Sequence, residues 1–308
     1  MSDTPFVIFI MGPTAAGKTD LAVYLHERID CEIISVDSAL VYRGLDIGTA
    51  KPEQELLEKV PHRLIDICDP LESYSAAHFL KDANAAIKEI QAKGKTPVLV
   101  GGTGLYFRAL EQGLAELPEA NYRIRARLEA EGESEGWQIL HSRLAKIDPE
   151  AAARINENDP QRIQRALEVY EITGETMSAL LSEGRKQAFP HPIKKIILSP
   201  EDRSVLHERV KLRFLSMLKS GLVEEVESLY KRGDLSLSLP SMRLVGYRQV
   251  WRYLDGETSY EEMTERAIIA TRQLAKRQIT WCRSEANAQW YDSMEPSIFS
   301  DILQSIEN

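Results

Sequence analysis

The sequence predicts an α/β protein in which a parallel sheet is flanked by helices and carries an all-helical insertion. Short apolar runs, which indicate buried strands, alternate with helical patterns in the first 113 residues and again after residue 193. Between these stretches the strand-like runs disappear, and helical patterns follow one another. We therefore expect a core made of residues 1–113 and 193–308, with a helical insertion domain of residues 114–192.

The first apolar run, residues 6–11, leads into a glycine-rich loop, GPTAAGKT, and then into a helical pattern. The loop fits G-x-x-x-x-G-K-[ST] at every fixed position, in the strand–loop–helix context that separates a phosphate-binding loop from a chance match. Glycine lets the backbone turn its N–H groups inward, and a helix start adds partial positive charge. Lys18 adds a full charge for terminal phosphates, and the Thr19 hydroxyl can hold Mg²⁺. The pattern predicts a nucleotide-kinase-like phosphate loop (P-loop) that binds a di- or triphosphate through Gly12, Pro13, Thr14, Ala15, Ala16, Gly17, Lys18 and Thr19.

Two later apolar runs end in residues that can do chemistry. Residues 31–36 end at Asp37, and residues 96–100 lead into a glycine-rich turn that contains Thr103. Ligands of open α/β sheets lie beyond the carboxyl ends of the strands, so we expect both side chains near the phosphate loop. Asp37 can be a metal ligand, a substrate contact, a general base or simply a cap of the next turn. Thr103 can share that cleft or start a helix, and we favour a functional role for both.

Residues 61–67 predict a third strand that ends at Asp66. This carboxylate can be a Mg²⁺ ligand, as in other phosphate-loop proteins, or it can begin the turn at residues 69–70; the sequence favours neither. Residues 42–52, YRGLDIGTAKP, predict a shaped surface loop, and residues 75–93 predict a helix that stops at Gly94.

The insertion predicts helices over residues 119–131, 134–146, 148–156 and 160–173, two of them started by an Asp-Pro pair. Two basic motifs lie here, at residues 123–127 and 161–165. Such charges usually cover a solvated helix face, and four glutamates follow the first motif. The second motif combines Gln and Arg, which suit base edges and phosphates.

The last third of the chain predicts a strand at residues 193–199, a helix at 202–220, a loop at 240–249 and a long helix at 261–283. Arg209 and Arg213 lie four apart on one helix, where they can clamp phosphate or pair with acids such as Glu208. The long helix has five basic residues and no carboxylate from residue 266 to 283. Its cations Arg272, Lys276 and Arg283 can share one face, with an apolar stripe elsewhere, so we expect a local polyanion surface.

Composition sets the broader limits. The 308 residues carry a net charge of −9, which taken alone argues against a nucleic-acid partner unless the positive charge is clustered. No apolar segment reaches a membrane-spanning length, and the N-terminal one is too short for a signal peptide. An odd number of cysteines without metal-ligand spacing (Cys31, Cys68 and Cys282) predicts a reducing compartment, and hence the cytoplasm.

Three classes of function fit these observations. One is a transferase with a nucleic-acid acceptor, and another is a small-molecule kinase in which Asp37 activates a substrate hydroxyl. The third, a nucleotide-switched binding module, ranks last because no N-K-x-D guanine-reading stretch is present. Composition does not separate the first two.

A resemblance does separate them. The chain resembles the bacterial tRNA dimethylallyltransferase family over nearly its whole length, from residue 7 to about 283. One departure from the family pattern is Leu40, because many members carry glutamine at this position. A second is that no Cys/His pairs occur after residue 283, whereas nuclear and mitochondrial relatives have a C-terminal zinc finger. The motifs that carry the resemblance are GPTAAGKT (12–19), DSALVYRGLDIGTAKP (37–52), GGTGLYF (101–107), NDPQRIQRALEVYEITG (158–174), VGYRQ (245–249) and TRQLAKRQITWCR (271–283).

The resemblance implies transfer of a dimethylallyl group from dimethylallyl pyrophosphate to N6 of the adenosine 3′-adjacent to the tRNA anticodon, with release of pyrophosphate. It further implies Mg²⁺ on Thr19, Asp37 as the base, Thr103 as an orienting group, and Lys18 and Arg213 on the pyrophosphate. We expect a monomer that acts on the anticodon stem-loop and has no membrane partner. The implied tRNA contacts are Asp37, Ser38, Ala39, Leu40, Thr103, Arg125, Gln161, Arg162, Ile163, Gln164, Arg165, Arg243, Leu244, Val245, Gly246, Tyr247, Arg248, Lys276, Arg277, Gln278, Trp281 and Arg283.

Overall fold

The centre of the fold is a six-stranded, all-parallel sheet in the order β3-β2-β4-β1-β5-β6. The computed structural model describes residues 5–183 and 189–307. All five residues of the central strand β1 are fully buried, as a strand covered on both faces requires. The strands are β1 (Val7–Met11), β2 (Cys31–Val36), β3 (His62–Arg63), β4 (Thr96–Gly101), β5 (Ile193–Ser199) and β6 (Ala288–Asp292).

Helices connect and cover these strands. Those after β1, β2, β3 and β4 are α1 (Lys18–His26), α2 (Gln54–Lys59), α3 (Ala76–Ala92) and α4 (Gly104–Gln112). Those after β5 are α10 (Arg203–Lys219), α11 (Leu222–Tyr230), α12 (Tyr247–Leu254), α13 (Tyr260–Cys282) and α14 (Ile298–Glu307). The remaining five are α5 (Tyr122–Glu135), α6 (Trp137–Ile147), α7 (Pro149–Arg154), α8 (Pro160–Thr173) and α9 (Met177–Glu183).

The chain divides into two compact units, Met1–Leu110 with Pro190–Asn308, and Glu111–Phe189. The second unit holds α5 to α9, and the described part of it contains no strand. Its helices pack around Leu128, Leu140 and Leu144 with residues of α8. Both predicted Asp-Pro starts are real: Asp148 accepts the N–H of Ala151, and Asp159 accepts the N–H of Arg162.

The structure differs from the predicted elements at several places, and the helices α2, α11 and α14 were not predicted. The strand predicted at residues 61–67 is only two residues long, because Leu64 and Asp66 have positive φ angles of 64° and 56° that leave the extended conformation. The loop predicted at 240–249 ends early, since α12 begins at Tyr247. Strand β6 was not predicted; it lies at the edge, and its half-exposed, polar and aromatic residues lack a buried apolar run.

Candidate active site

The phosphate loop joins β1 to α1 at the carboxyl edge of the sheet, with Gly12 at its start. Gly12 has φ of 148°, and a Cβ there would lie 2.1 Å from the carbonyl oxygen of Leu198 on β5. Only glycine fits so close to the neighbouring strand in this conformation. Gly17, with φ of 91°, turns the chain into α1. The loop is therefore seated directly on the sheet.

A cavity of about 590 Å³ lies over this loop. Residues from seven separate parts of the chain line it: the loop with the start of α1, the end of β2, the 49–52 loop, the end of β4, α10, α13, and the segment from Ser293 to Phe299. Its cations are Lys18, Arg209 and Arg213, and its carboxylates are Asp20 and Asp37. The arrangement suits an anionic group that is held chiefly by loop amides and three cations.

Lys18 lies at the base of the cavity, where its Nζ donates to the carbonyl oxygen of Pro13 at 2.7 Å. Burial lowers the pKa of Lys18 to about 8, Asp37 partly offsets this, and Arg213 adds to the lowering. An anion bound in the cavity would favour the charged ammonium. The lysine is thus held by the loop backbone, in a position where a phosphate can replace that contact.

Asp37 follows β2 directly and is partly buried. Its Oδ1 accepts the N–H of Ala39 at 2.8 Å, which is the capping contact that the sequence left open as an alternative. Burial raises the pKa of the Asp37 carboxyl, although the N–H of Ala39 and the charges of Lys18 and Arg213 oppose this. A carboxylate that is both capped and more basic than usual is fixed in orientation and suited to accept a proton.

Thr103 lies between the ends of β2 and β4. Its Oγ1 accepts the N–H of Ser38 at 3.0 Å and donates to the Ser38 hydroxyl at 3.4 Å, while its own N–H donates to the carbonyl of Val36 at 3.3 Å. Thr103 therefore holds the turn that carries Asp37. Its hydroxyl is used at this turn, and its carbonyl accepts the N–H of Tyr106 at 2.9 Å at the start of α4. Thr103 lines neither of the two cavities at the site, so its orienting role stays a prediction.

Arg209 and Arg213 both reach the phosphate-loop cavity from α10. Neither makes an ion pair within 4 Å in residues 5–183 and 189–307, so the alternative of pairing with Glu208 is not realised. Burial lowers the pKa of Arg213, and Asp37 opposes that effect. Two cations without carboxylate partners at the edge of a phosphate site are available to an anionic ligand.

A second, smaller cavity of about 130 Å³ adjoins the first and shares Asp37 with it. Thr14, Ala15, Thr49, Arg213 and Gln278 also border both cavities. The far wall of the small cavity is built by Gly48, α10 residues 210, 214 and 217, residues 244–247, and Thr271 and Leu274 of α13. Asp37 thus stands where a phosphate site and a mostly apolar chamber meet.

Comparison with known proteins shows the family to which the chain belongs. The model of the family described as IPP transferase matches residues 40–285. The chain belongs to the IPP transferase family. A tRNA dimethylallyltransferase of Coxiella burnetii is 53% identical over 307 residues, which covers 100% of this chain and 99% of that protein. One of Thioalkalivibrio sulfidiphilus is 60% identical over 281 residues, covering 91% and 88% of the two chains.

Solved structures agree with that membership. The full-length tRNA isopentenylpyrophosphate transferase of Bacillus halodurans is 40% identical, with a TM-score of 0.72 over 98% of this chain and 95% of that one. A eukaryotic dimethylallyltransferase acting on tRNA is 26% identical, with a TM-score of 0.81 over 99% and 78%. The predicted α/β fold and family are therefore confirmed.

Gln278 is one of the residues that resemblance to the IPP transferase family placed on tRNA, but its amide has two internal partners. Its Oε1 accepts the N–H of Thr14 at 2.8 Å, and its Nε2 donates to the carbonyl of Gly102 at 3.1 Å. The side chain joins the phosphate loop to the end of β4. No local sequence signal indicates this contact, because the three residues lie on separate elements.

Two aromatic residues of the same predicted set also make contacts within the protein. The Trp281 ring stacks on Phe107, with centroids 5.9 Å apart and planes at 20°. A Cβ at Gly104 would lie 2.2 Å from that ring. Trp281 is half-buried and packs against Phe107 and Gly104, as the core interpretation expected. Tyr247 has no exposed surface, and its hydroxyl donates to Glu225 at 2.5 Å.

The long helix α13 keeps the predicted cations on one side, and Ala275, Ile279 and Cys282 of the predicted apolar stripe are buried. Arg272, Lys276 and Arg283 border the same groove of about 460 Å³ as the apolar Ala275 and Ile279, against α10. Lys276, Arg277 and Arg283 are exposed, whereas Arg272 is half-buried. Arg243 and Arg248 are exposed near α12, and Leu244, Val245 and Gly246 line the small cavity.

In the helical unit, the basic motif of α8 has an internal function. Glu168 is fully buried, and its carboxylate accepts bonds from Arg125 (2.8 and 3.0 Å) and Arg165 (2.6 Å). Gln164 donates to the carbonyl of Arg125 at 2.9 Å. Ile163 has no exposed surface and packs in the core of the unit. Only Gln161 and Arg162 of this motif are exposed. The prediction that the whole motif contacts tRNA is therefore corrected for Ile163, because its side chain is buried.

Asp66 follows neither of the alternatives left open for it. It pairs with Lys51, whose Nζ also donates to the carbonyl of Tyr42 at 2.9 Å. It does not line the phosphate-loop cavity. Its carboxylate instead anchors the 42–52 loop.

Among the described helices, none is long and apolar enough to cross a lipid bilayer.

Proposed function

We propose that the chain transfers a dimethylallyl group from dimethylallyl pyrophosphate to N6 of the adenosine 3′-adjacent to the anticodon of tRNA. The observation that carries the proposal is the position of Asp37, which borders both the cationic phosphate-loop cavity and the adjoining apolar chamber. A diphosphate leaving group and an incoming amine need those two environments side by side. The family membership and the names of its full-length relatives support this substrate pair.

The chemistry balances with the residues present. The N6 nitrogen forms a bond to C1 of the dimethylallyl group, and the bond from C1 to the diphosphate oxygen breaks. The adenine amine is a poor nucleophile because its lone pair is conjugated with the ring, so it must lose a proton as the new bond forms. Asp37 takes that proton, and its raised pKa favours the transfer.

The leaving diphosphate is stabilised by charge. Lys18 and Arg213 border the cavity with the loop amides, and Arg209 extends the cationic edge. Pre-set donors aimed at developing negative charge are usually the largest single contribution to catalysis. Here the phosphate loop therefore binds a leaving group and transfers no phosphoryl group.

Mg²⁺ fits the donors at this site. The described residues contain no cluster of three or more His, Cys, Asp or Glu that could enclose a metal. Mg²⁺ does not need one, because it commonly takes one or two protein ligands and completes its shell with substrate phosphates and water. The exposed Thr19 hydroxyl would be the protein ligand. When bound, the ion neutralises charge on the diphosphate oxygens.

The acceptor base must leave the anticodon-loop stack to reach Asp37, since a stacked base does not expose N6 to a chamber of this kind. The exposed members of the proposed tRNA surface supply cations for the phosphates around it. The cations are Arg162, Arg243, Arg248, Lys276, Arg277 and Arg283, and the exposed Gln161 is a neutral member of the same set. Ser38, Ala39 and Leu40 lie beside Asp37 and would meet the flipped nucleotide.

Mass analysis of tRNA nucleosides, after incubation with dimethylallyl pyrophosphate and Mg²⁺, tests this function. We expect one prenylated adenosine next to the anticodon. An anticodon stem-loop with guanosine at that position, which lacks the N6 amine, should give no product. Phosphate transfer from ATP to a small alcohol, without prenylation, would instead establish the kinase alternative.

We also propose that the protein works as a monomer in the cytoplasm. The three cysteines are buried free thiols, which supports a reducing compartment. Light scattering during size-exclusion chromatography measures the mass directly, and a mass near 34.8 kDa is expected. A mass of twice that value would contradict the monomer.

A further inference from the structure

Glu225 on α11 lines neither of the two cavities, yet four donors converge on its carboxylate. Oε2 accepts the N–H groups of Asp46 at 3.0 Å and Ile47 at 2.8 Å. Oε1 accepts the N–H of Gly48 at 3.2 Å and the hydroxyl of Tyr247 at 2.5 Å. Three consecutive backbone N–H groups aimed at one carboxylate form an anion-binding nest, which fixes the local backbone.

The groups that Glu225 holds are two walls of the small cavity beside Asp37. Gly48 belongs to the 42–52 loop, and Tyr247 begins α12; both line that cavity. The walls also touch, because a Cβ at Gly48 would lie 2.5 Å from the Tyr247 ring. One carboxylate thus sets the separation of two segments about 200 residues apart in the sequence.

Glu225 has no cation within 4 Å among the residues that the structure describes, so its charge is satisfied by these four donors alone. Burial and the charge of Glu225 both raise the pKa of Tyr247, which keeps its phenol protonated as the donor. Glutamine cannot replace Glu225 here. It has one acceptor oxygen, and its NH₂ group would face a backbone N–H.

We propose that Glu225 is a positioning residue for the acceptor half of the reaction, holding the 46–48 loop and the start of α12 at the spacing that admits the target base next to Asp37. The proposal rests on the proposed function. The proposal predicts different effects on the two substrates. Glu225 holds Gly48 and Tyr247, which line the small cavity and not the phosphate-loop cavity, whereas the phosphate loop is held independently by Gln278.

The test compares Glu225→Gln with Glu227→Gln. Glu227 is on the same helix in an exposed ion pair with Lys231, so it receives the same chemical change without the nest. For E225Q we expect kcat/KM for tRNA to fall about 10-fold or more. KM for dimethylallyl pyrophosphate and the Kd of inorganic pyrophosphate should stay within about twofold of wild type, because the phosphate loop is untouched. E225Q that matches E227Q, or that weakens pyrophosphate as much as tRNA, overturns the proposal.

Tyr247→Phe is a milder variant that removes one of the four bonds and keeps the ring. Its effect on tRNA kcat/KM should be smaller than that of E225Q. The double variant should be little worse than E225Q alone, since both changes break the same contact. Effects that simply multiply would show that the two walls are held independently, against the proposal.

Amide hydrogen exchange distinguishes failure of this inference from failure of the proposed function. In E225Q, peptides from 42–52 and 245–250 should exchange faster, while the phosphate-loop peptide stays protected. This measurement does not depend on turnover. A wild-type protein that does not prenylate tRNA overturns the proposed function, and unchanged exchange in E225Q overturns the role of Glu225.

Discussion

The N–H of Thr14 in the phosphate loop donates to Oε1 of Gln278 at 2.8 Å, across 264 residues of sequence. The same side-chain amide donates to the carbonyl of Gly102 at 3.1 Å, at the end of β4. A helix near the C-terminal end of the chain therefore fixes the loop relative to the sheet. The shape of the phosphate site depends on this contact as well as on its own glycines.

Gln278→Ala should weaken binding of the diphosphate. The substitution leaves a partly buried donor and a partly buried acceptor unpaired, which costs up to about 1–3 kcal/mol, or roughly 5- to 150-fold in an equilibrium constant. The Kd of inorganic pyrophosphate, measured by calorimetry, should rise within that range. Gln273→Ala on an exposed part of the same helix is the control. Equal affinities of the two variants would contradict a supporting role for Gln278.

The raised pKa of Asp37 predicts an acid limb in the pH profile of kcat/KM. The deprotonated carboxylate is the active base, so the rate is kept above the folded-state pKa and lost as the pH falls through it. Because burial raises that pKa, the loss should begin at a higher pH than an ordinary aspartate would give. A rate that stays constant until the ordinary aspartate range would contradict the raised pKa, and a profile with no acid limb would contradict Asp37 as the base.

Glu168→Gln should destabilise the helical unit. Burial would by itself raise the pKa of Glu168, yet the bonds from Arg125 and Arg165 outweigh it and lower the pKa. The carboxylate thus adds stability above its unfolded-state pKa, and this is lost as the pH falls through the lower folded-state value. Removing its charge beside two arginines costs about 3–5 kcal/mol.

Urea unfolding at neutral pH measures that cost, with the exposed Glu157→Gln as a control. In acid the difference in stability between wild type and E168Q should narrow, since the wild-type carboxylate becomes protonated there. A difference that does not change with pH would contradict the assigned charge.

Much of this architecture follows from local patterns. The strands β1, β2, β4 and β5 are apolar runs, and the P-loop motif fixes its own position between strand and helix. The position of Asp37 then follows from a general rule, because the carboxyl ends of parallel strands meet at one edge. These features were predictable because each depends on neighbours in sequence or on the topology of the sheet.

Other features depend on distant partners and left no local signal. The roles of Gln278 and Glu225 come from contacts with backbone groups far along the chain. The basic motif of α8 was predicted to contact tRNA, but its Arg165 forms an ion pair with the buried Glu168, three residues further along the chain. Composition shows how many cations a segment has, but it does not show which of them form ion pairs with a buried carboxylate.

The cations of α13 should set part of the salt dependence of tRNA binding. Replacing Arg272, Lys276 and Arg283 by glutamine should reduce the slope of log Kd against log salt by about 0.7–0.9 for each phosphate that is no longer neutralised. Filter binding of an anticodon stem-loop at several salt concentrations measures it. Glutamine at Arg28, Lys59 and Lys231, which pair with nearby glutamates, should leave the slope unchanged. An unaltered slope in the first variant would place the groove outside the tRNA surface.

Asp37→Asn tests the central claim, that one carboxylate beside a diphosphate cradle takes the proton of the incoming amine. The measurement is single-turnover formation of prenylated adenosine in tRNA, followed by mass analysis, with the Kd values of tRNA and pyrophosphate determined on the same variant. We predict a rate constant lower by about 10²–10⁴-fold, with both affinities nearly unchanged. Turnover close to that of the wild type would contradict the account.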